Sequence, residues 1–407
     1  MMANSIAKSN NNNDNIYFNL DTNVAFRYHW KIWRWTGIKP LKDINPELYK
    51  LYAIVLNILV TLLFPLTLII KVFFSQTLQE LCENLTITIS DCQSNLKFVN
   101  VYFVRHQLDR IKSILRKLDR RVQSNEEFIV LKSAISMAQS SFLIFFRLYS
   151  FGTTLSVVKV VLAENRSLLF PAWFGVNWEE NLWTYVGVIV YQFFALAVQA
   201  LQNVANDSYP PAYLVILSAH MRALEIRVKA VGHSVEDDMQ EVLTLSGEKQ
   251  RKCLKEFNEC IKDYLNILKL HSIIQRIISK ACLAQFACSA LVQCTVGLHF
   301  MYVMDAANYE AQLMAIIFFV AVTLEAFVIC YFGHMMSLQS SNLTYAFYSC
   351  GWLAQAPEFK RNLIITLMRT QRTSTILAGS YIPVDLPTFV VLMKYAYSVF
   401  TLLIRFK

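Results

Sequence analysis

Long apolar stretches alternate with short polar blocks along this chain. Residues 51–70, 182–206 and 281–304 contain no Asp, Glu, Lys or Arg, and residues 311–333 contain one charged residue, Glu325. A helix that crosses a bilayer needs about 20 mostly apolar residues, because its backbone must satisfy its own hydrogen bonds in lipid. The pattern therefore predicts four membrane-spanning helices at these places.

Three further stretches are apolar but less pure, since each contains two charged residues. They are residues 85–104, 133–163 and 376–404. The first of them would fail a strict hydropathy threshold. Hydrophobicity alone does not decide whether these three segments cross a membrane.

The distribution of basic residues does decide it. Of the 38 Lys and Arg residues, 30 lie in four regions, which are residues 1–50, 105–132, 220–280 and 337–375. One more lies in the alternate connections, which are residues 73–84, 164–181 and 305–310. Because cytoplasmic loops carry the excess of Lys and Arg, this alternation predicts seven crossings, with the N-terminus in the cytoplasm and the C-terminus outside.

Composition agrees with a chain embedded in lipid. Hydrophobic residues make up 55% of the 407 positions and charged residues 16%, against about 45–50% and 25% in a soluble domain. The net charge is +9, and the basic residues lie in blocks between the apolar stretches. This distribution indicates orientation in a membrane rather than a nucleic-acid partner. Two sequons fall in the expected outside loops and make Asn84 and Asn165 candidate glycosylation sites.

Several helices are expected to continue beyond the membrane. Residues 105–121 and 249–280 are polar but carry apolar side chains at three- and four-residue spacing, and the second segment runs without a breaker into the fifth crossing. Residues 340–375 are too polar to face lipid yet periodic enough for a helix. These features predict an intracellular assembly domain.

Residues 207–211, with two adjacent prolines, are expected to interrupt and kink the fourth helix.

No enzyme chemistry is visible in the sequence. The motifs HExxH, GxSxG, GxGxxG and the P-loop are missing, so no catalytic residue, cofactor or metal ion is expected. Ionisable residues inside membrane segments are the usual functional pointers. Glu325 has two interpretations, one in which it pairs with a neighbouring helix and one in which it borders a cavity.

The last sixty residues carry a series of short motifs in a fixed order. They are Ala346-Phe347-Tyr348-Ser349-Cys350-Gly351-Trp352, Arg361-Asn362-Leu363, Met368-Arg369-Thr370-Gln371-Arg372, Leu377-Ala378-Gly379, Pro383-Val384-Asp385-Leu386-Pro387-Thr388-Phe389 and Lys394-Tyr395-Ala396-Tyr397-Ser398-Val399-Phe400-Thr401-Leu402-Leu403. This series resembles the C-terminal signature of insect odorant receptors. The inverted seven-helix topology and the length extend the resemblance over the whole chain.

The resemblance implies an all-α integral membrane protein that forms a ligand-gated, non-selective cation channel without a G protein. Members of that family are tetramers held by a cytoplasmic anchor, and a tuning subunit pairs with a shared co-receptor in the plasma membrane of olfactory sensory neurons. The short connection between helices four and five favours a tuning subunit. The expected regions are a cytoplasmic segment (1–49), six membrane helices with the ligand pocket (50–336), an anchor helix (337–375) and the pore helix (376–407).

The resemblance also assigns residues to a pore and a pocket. Asp385 followed by Leu386 and Pro387 predicts the start of a last helix over residues 386–406. By position, the pore and gate residues are Ser398, Leu402, Arg405 and Phe406, and Arg405 departs from what cation conduction favours. The pocket for a volatile organic ligand is expected in the outer half, among helices two, three, four and six, with Ile89, Phe145, Tyr149, Gly152, Tyr185, Tyr191, Gln192, Met314 and Phe318.

Two alternatives stay open from the sequence. A gustatory-receptor-type channel shares this architecture but typically ends in a different motif in helix seven. A polytopic transporter or membrane enzyme is disfavoured, because the chain has no visible inverted repeat and no catalytic group.

Overall fold

Almost all of the described chain is α-helical. The computed structural model describes residues 20–40, 45–163, 165–233, 247–305 and 309–405. Within them, a 3₁₀ turn (Thr22–Phe26) is followed by α1 (Arg27–Trp35), α2 (Pro46–Phe73), α3 (Leu78–Asp119), α4 (Asn125–Leu162), α5 (Leu182–Ala230), α6 (Gly247–Asp305), α7 (Tyr309–Tyr348), α8 (Pro357–Thr370) and α9 (Leu386–Arg405). A short antiparallel hairpin precedes α9, and its strands, β1 (Leu377–Ala378) and β2 (Ile382–Pro383), have two residues each.

Capping side chains lie at the N-termini of three long helices, α3, α4 and α5. The hydroxyl oxygen of Thr77 accepts the N–H of Glu80 at 3.2 Å, and that of Ser124 accepts the N–H of Glu127 at 3.2 Å. Asn181 caps α5 through the N–H of Trp183. Such caps satisfy donors that the first turn of a helix leaves free.

Five of the described helices are long and apolar enough to cross a membrane. They are α2, α4 and α5 with the stretches Gly247–Met304 of α6 and Ala311–Tyr348 of α7, and Leu386–Leu402 of α9 is a shorter apolar segment. Helix α3 does not reach this hydropathy because it contains polar side chains, including Gln93, Ser94 and Lys97. These side chains are buried against other helices rather than exposed to lipid. Hydropathy therefore underestimates this helix for a structural reason.

The long helices divide the molecule into two halves. The 59 residues of α6 span about 88 Å, against about 30 Å for the hydrocarbon layer. We call residues 22–40, 105–135, 204–231, 250–280 and 340–384 the basal half. Residues 51–100, 140–203, 281–335 and 386–402 form the apical half. The expected continuation of α6 beyond a membrane span is confirmed.

The basal half contains most of the large hydrophobic core. Leu108, Ile111, Leu115 and Leu118 on α3 are buried there, as the apolar spacing of this segment predicted. Three aromatic rings join α6 and α7 to α8, since Phe257 on α6 lies 4.2 Å from Phe359 and 6.1 Å from Phe347 between ring centroids. This core joins seven helices, α1 and α3 to α8.

The expected interruption of the fourth membrane helix is wrong. Helix α5 continues through Pro210 and Pro211, whose missing N–H groups leave the carbonyls of Asn206 and Asp207 without their usual partners. All residues from 204 to 217 are buried, so neighbouring helices enclose this part of α5 on every side. Packing on all sides maintains a helix that local propensity would break.

Residues 340–375 form two helices rather than one. Helix α7 ends at Tyr348, and α8 begins at Pro357. Between them the N–H of Gly351 donates to the carbonyl of Val231 at 2.9 Å, and a Cβ atom on Gly232 would lie 2.5 Å from the Gly351 oxygen. The end of α5 approaches this turn so closely that both positions need glycine.

The segment before the last helix is fastened to α6. The Gln275 side chain donates to the carbonyl of Leu377 at 2.7 Å and accepts its N–H at 2.8 Å. The Ser279 hydroxyl donates to the same carbonyl at 2.8 Å. These contacts fix where α9 starts relative to α6.

Candidate functional site

Gln192, a predicted pocket residue on α5, is fully buried and holds a loop. Its Oε1 accepts the N–H of Leu169 at 3.0 Å, and its Nε2 donates to the carbonyl of Phe170 at 2.8 Å. Both bonds fasten the segment before α5 onto the helix. Gln192 thus fixes the position of the loop between α4 and α5 in the apical half.

The two predicted tyrosines on α5 hold the same region. The ring of Tyr191 meets Phe174 edge-on at 6.0 Å, and its hydroxyl donates to the carbonyl of Leu59 at 2.8 Å. The Tyr185 hydroxyl donates to the carbonyl of Ser167 at 3.0 Å. These three side chains of α5 form one group around the loop between α4 and α5.

A second group of predicted residues lies between α3, α6 and α7. Ile89 and Phe318 pack against the same small apolar cluster, and Met314 is half-buried one turn before Phe318. The buried members of the cluster are Val292, Val296 and Ala315. The side chains of this group are apolar, as expected for a site that recognises shape.

The third group lies on α4. Phe145 is buried in the large core, and the Tyr149 hydroxyl donates to Oδ2 of Asp207 at 2.5 Å. Gly152, one turn further, faces open space, because a Cβ atom there would meet nothing within 4 Å. The predicted pocket residues therefore fall into three groups on different helices.

Tyr149 is the edge of a buried charge cluster that joins the helices. The ammonium group of Lys97 on α3 lies 2.6 Å from Oδ1 of Asp207 on α5 and also contacts Glu325 on α7. The three side chains are almost completely shielded from solvent. Of the two interpretations of Glu325, the pairing with a neighbouring helix is the one observed.

Further polar contacts extend this cluster along α3. The Gln93 amide donates to Oε1 of Gln285 on α6 at 2.8 Å, and Ser94 contacts Asn203 on α5. The side chains that lower the hydropathy of α3 are thus those that connect it to its neighbours. Helix association in lipid depends on such polar contacts, because hiding apolar surface from lipid yields little.

The partnership of Lys97 with Asp207 was missed by the sequence analysis. The two residues are 110 positions apart, so no local spacing connects them. The available signal was that ionisable residues within membrane segments face the interior and have partners. That rule, applied to Lys97 and Asp207 together with Glu325, would have grouped all three.

The last helix begins as predicted and packs on α6. Oδ1 of Asp385 accepts the N–H of Thr388 at 2.9 Å, which confirms the N-cap. On α6, a Cβ atom on Gly297 would lie 2.7 Å from the ring of Phe400, so glycine is needed for this close approach. The face of α9 with Ala396 and Phe400 is therefore covered by α6.

The predicted pore residues lie on the opposite face of α9. Ser398 is exposed and bonds only along its own helix, to the carbonyl of Lys394 at 2.8 Å, among the contacts of the described residues. Leu402 is 54% exposed. The side chain of Arg405 and the whole of Phe406 lie outside the described part of the chain.

The two sequons differ in their surroundings. Asn84 lies in the second turn of α3, is buried, and donates to the hydroxyl of Ser75 at 2.7 Å. Asn165 lies in an exposed loop. The sequon at Asn84 is therefore part of a helix, whereas that at Asn165 lies in an accessible loop.

An apical cleft of about 620 Å³ was not foreseen from the sequence. It lies between the outer ends of α2, α3 and α4 and the loop before α5, and none of the predicted pocket residues lines it. Phe174 separates it from Tyr191. Loop residues make most of the cleft, so periodicity could not reveal it. The lining includes Lys71, Phe74, Glu80, Glu83, Asn84, Lys159, Trp173, Phe174 and Trp178.

One known protein family matches most of the chain. The family model described as 7tm Odorant receptor matches residues 77–397. Odorant receptor 2a of Drosophila melanogaster is 49% identical over 393 residues, which cover 96% of this chain and 98% of that protein. Odorant receptor 19a of the same species is 28% identical, with 94% and 96% covered. These relatives are receptors, so the expectation that the chain is not an enzyme is confirmed.

Solved structures give the same fold. The olfactory receptor OR5 from Machilis hrabei matches with a TM-score of 0.76 at 14% identity, covering 94% of this chain and 97% of that one. Its complex with eugenol matches with a TM-score of 0.75 at 15% identity, covering 94% and 98%. The expected all-α fold with seven membrane helices is confirmed.

Proposed function

Because the chain belongs to the insect odorant receptor family, we propose that it is the tuning subunit of an odorant-gated, non-selective cation channel. It binds a volatile organic molecule in the apical half and opens a pore shared with a co-receptor, without a G protein. One observation carries the proposal. The family match runs without interruption from the start of α3 into α9, so the ligand-binding bundle and the last helix belong to one unit.

The proposed ligand site lies among α3, α4, α5 and α7 in the apical half. The apolar group around Ile89, Met314 and Phe318 supports recognition by shape and dispersion. Tyr149 supplies a polar group at the inner edge, next to Asp207. In this proposal Phe145, Gly152, Tyr185, Tyr191 and Gln192 shape the walls.

The proposed pore lies along the exposed face of α9. Ser398 and Leu402 face away from α6, and in a tetramer this face would turn towards the shared axis with Arg405 and Phe406 beyond it. A ring of apolar side chains at a narrow point blocks ions, because an ion cannot lose its hydration shell against hydrocarbon. Leu402 is thus the proposed gate residue of this subunit.

The distribution of Lys and Arg supports an orientation with the basal half in the cytoplasm. The N-terminus is then intracellular, the C-terminus is extracellular, and the exposed Asn165 is available for glycosylation outside. We place the protein in the plasma membrane of olfactory sensory neurons.

Exposed apolar side chains on α8 support assembly through the basal half. Ile364, Ile365 and Met368 are all well exposed, on a helix that is too short and polar to lie in lipid. Apolar patches in contact with water mark interaction surfaces. The co-receptor is the proposed partner, and the connection of 16 residues between α5 and α6 fits the tuning role.

Currents in cells that express this chain with the co-receptor test the proposal. Volatile esters, alcohols, ketones and aromatics are applied, and cells with either subunit alone serve as controls. We expect at least one volatile to evoke a cation current only when both subunits are present. The proposal is wrong if the chain reaches the surface with the co-receptor and no volatile evokes a current that the co-receptor alone does not give.

A further inference from the structure

We propose that a cationic patch where α1 meets α2 and α3 binds the anionic headgroup of a membrane phospholipid. The cationic patch consists of Arg34, Lys39, Lys112 and Arg116, together with Asp109. It lies far from the pocket and the pore, and the inference requires only that the chain crosses a membrane.

Shared partners hold two of the lysines close together. The ammonium groups of Lys39 and Lys112 lie 4.6 Å and 3.3 Å from the centre of the Trp30 ring. Both also approach Oδ1 of Asp109, at 2.5 Å and 3.9 Å. A ring with a negative face and one carboxylate thus organise two cations at a single place.

The charges of the cationic patch are not balanced among its own members. Four cations and one carboxylate give a net charge of +3. Burial lowers the pKa of Lys112 to about 8, and the nearby charges of Lys39, Arg34 and Arg116 act in the same direction. Mutual repulsion of this kind is relieved when an anion with several acceptor oxygens binds between the cations.

The backbone around the cationic patch is fixed by tyrosines at the start of the first membrane helix. The Tyr49 hydroxyl lies 2.8 Å from the carbonyls of both Arg34 and Lys39. The Tyr52 hydroxyl donates to the carbonyl of Trp35 at 2.7 Å. Helix α1 and its following turn are therefore held against α2, so the cations do not depend on a free loop.

The cationic patch lies beside the start of the first membrane helix, α2. The apolar run of α2 begins at Leu51, which is 58% exposed, as a lipid-facing side chain would be, and its neighbours Tyr49 and Tyr52 hold the backbone of the patch. The headgroup layer extends about 5–8 Å beyond the hydrocarbon on each side. Trp35, 48% exposed beside the patch, is the type of residue that concentrates at membrane interfaces. A lipid headgroup is therefore favoured over a soluble anion.

The test measures lipid binding to the full-length protein, purified with its partner subunit where that is needed for stability. Nanodiscs contain phosphatidylcholine alone, or with added phosphatidylserine or phosphatidylinositol bisphosphate, and binding of a labelled anionic lipid is followed by energy transfer. We expect saturable binding of the anionic lipids. Lys39→Gln/Lys112→Gln should weaken it about 30-fold, given the effect of each basic residue near an anionic surface.

The matched control is Lys252→Gln/Lys255→Gln, which removes the same charge from exposed positions at the start of α6 and should leave binding unchanged. If the first double variant does not fold, the exposed Arg116→Gln should still weaken binding about fivefold. Equal loss in the control pair, or no loss in either patch variant, overturns the proposal. Inorganic phosphate or soluble inositol trisphosphate that binds as tightly as the lipid, with the same dependence on the patch, overturns the lipid as the ligand.

Discussion

The basal and apical parts of α5 have different surroundings, although they belong to one helix. From 204 to 217 every residue is buried. In the apical part Val186, Val190 and Phe193 are 44–61% exposed, on the side that lipid would cover. The same helix is the centre of a protein core at one end and part of a membrane surface at the other.

This difference shows what stabilises each half. In the basal half, apolar side chains are hidden from water, and the hydrophobic effect supplies most of the stability. In the apical half, apolar side chains face outwards and the Lys97 cluster joins the helices from inside. Helices held by a few polar contacts can rearrange when a ligand binds, whereas a closely packed core resists rearrangement. We therefore infer that the apical half moves on ligand binding and the basal half holds the assembly.

The largest expected effect follows from removing the shared cation of the apical half. Lys97→Met leaves Asp207 and Glu325 as two uncompensated carboxylates in a buried site, and breaking such a pair costs about 3–5 kcal/mol. We expect a severe loss of surface expression, measured by labelling of intact cells. The triple variant Lys97→Met/Asp207→Asn/Glu325→Gln removes all three charges and should recover expression. Equal loss in both variants would show that charge balance is not what Lys97 provides.

A similar substitution in the basal half should affect assembly more than ligand response. Arg227 bridges Glu127 and Asp263 at 2.5 and 2.6 Å, all three buried, so Arg227→Ala is expected to destabilise the protein by about 3–5 kcal/mol. Thermal unfolding of the purified channel measures this loss. Lys229→Ala is the control, because Lys229 is half exposed and the buried Glu225 keeps its bonds to Arg222 and Gln339, so this loss should be about 1 kcal/mol. The comparison fails if the Arg227 variant keeps its stability and instead shifts ligand potency.

Substitutions in the proposed pocket should change ligand potency without changing expression. Tyr149→Ala and Tyr191→Ala remove side chains worth about 1–3 kcal/mol of contact with a small ligand, so EC50 values should rise about tenfold for some odorants. Phe146→Ala, on the outward face of α4, is the control and should leave EC50 values unchanged. Dose–response currents of the co-assembled channel measure the effect. If neither tyrosine variant alters the response to any ligand, the pocket lies elsewhere in the apical half.

The last expected effect is a pH dependence of stability in the basal half. Burial raises the pKa of Asp119 to about 7, against an ordinary value of 3.8, while the N–H and hydroxyl of Thr22 oppose the shift. Between these two values the folded protein keeps a proton that the unfolded chain releases, so this contribution to stability falls as the pH rises from about 4 to 7. Asp119→Asn cannot lose that proton.

The Tm of the wild type relative to Asp119→Asn should therefore fall across this range. The comparison with the variant is needed because burial lowers the pKa of the adjacent His220 to about 3, which gives the opposite slope. A wild-type protein that gains stability over the variant as the pH rises would show that Asp119 is charged and paired with His220.

The sequence predicted the helices that depend on local pattern. Apolar runs located the membrane segments, three- and four-residue spacing located the buried side of α3, and Asp385 marked the start of α9. Each of these features is encoded within a few neighbouring residues. Such patterns predict the structure correctly because each depends only on the residues of one helix and on which of its sides is buried.

Features that depend on distant residues were not predicted. The prolines of α5 suggested a break that surrounding helices prevent, and the Asn84 sequon suggested a loop where α3 has already begun. The pairing of Lys97 with Asp207 and the cleft beside Trp173 require the packed bundle. For the candidate site, the sequence supplied the helices involved but not the contacts between them.

The most direct test of the central claim, that the apical half of this subunit contributes to an ion pore, is the basal current of Leu402→Ala in the co-assembled channel. In the proposed mixed tetramer this side chain is part of the gate, so a smaller residue should raise the current in the absence of ligand. Leu403→Ala, one position further round the helix, should raise it less. An account in which α9 lines the pore predicts this difference at equal surface expression. Normal trafficking with unchanged basal current, ion permeability and ligand-evoked gating in Leu402→Ala would contradict it.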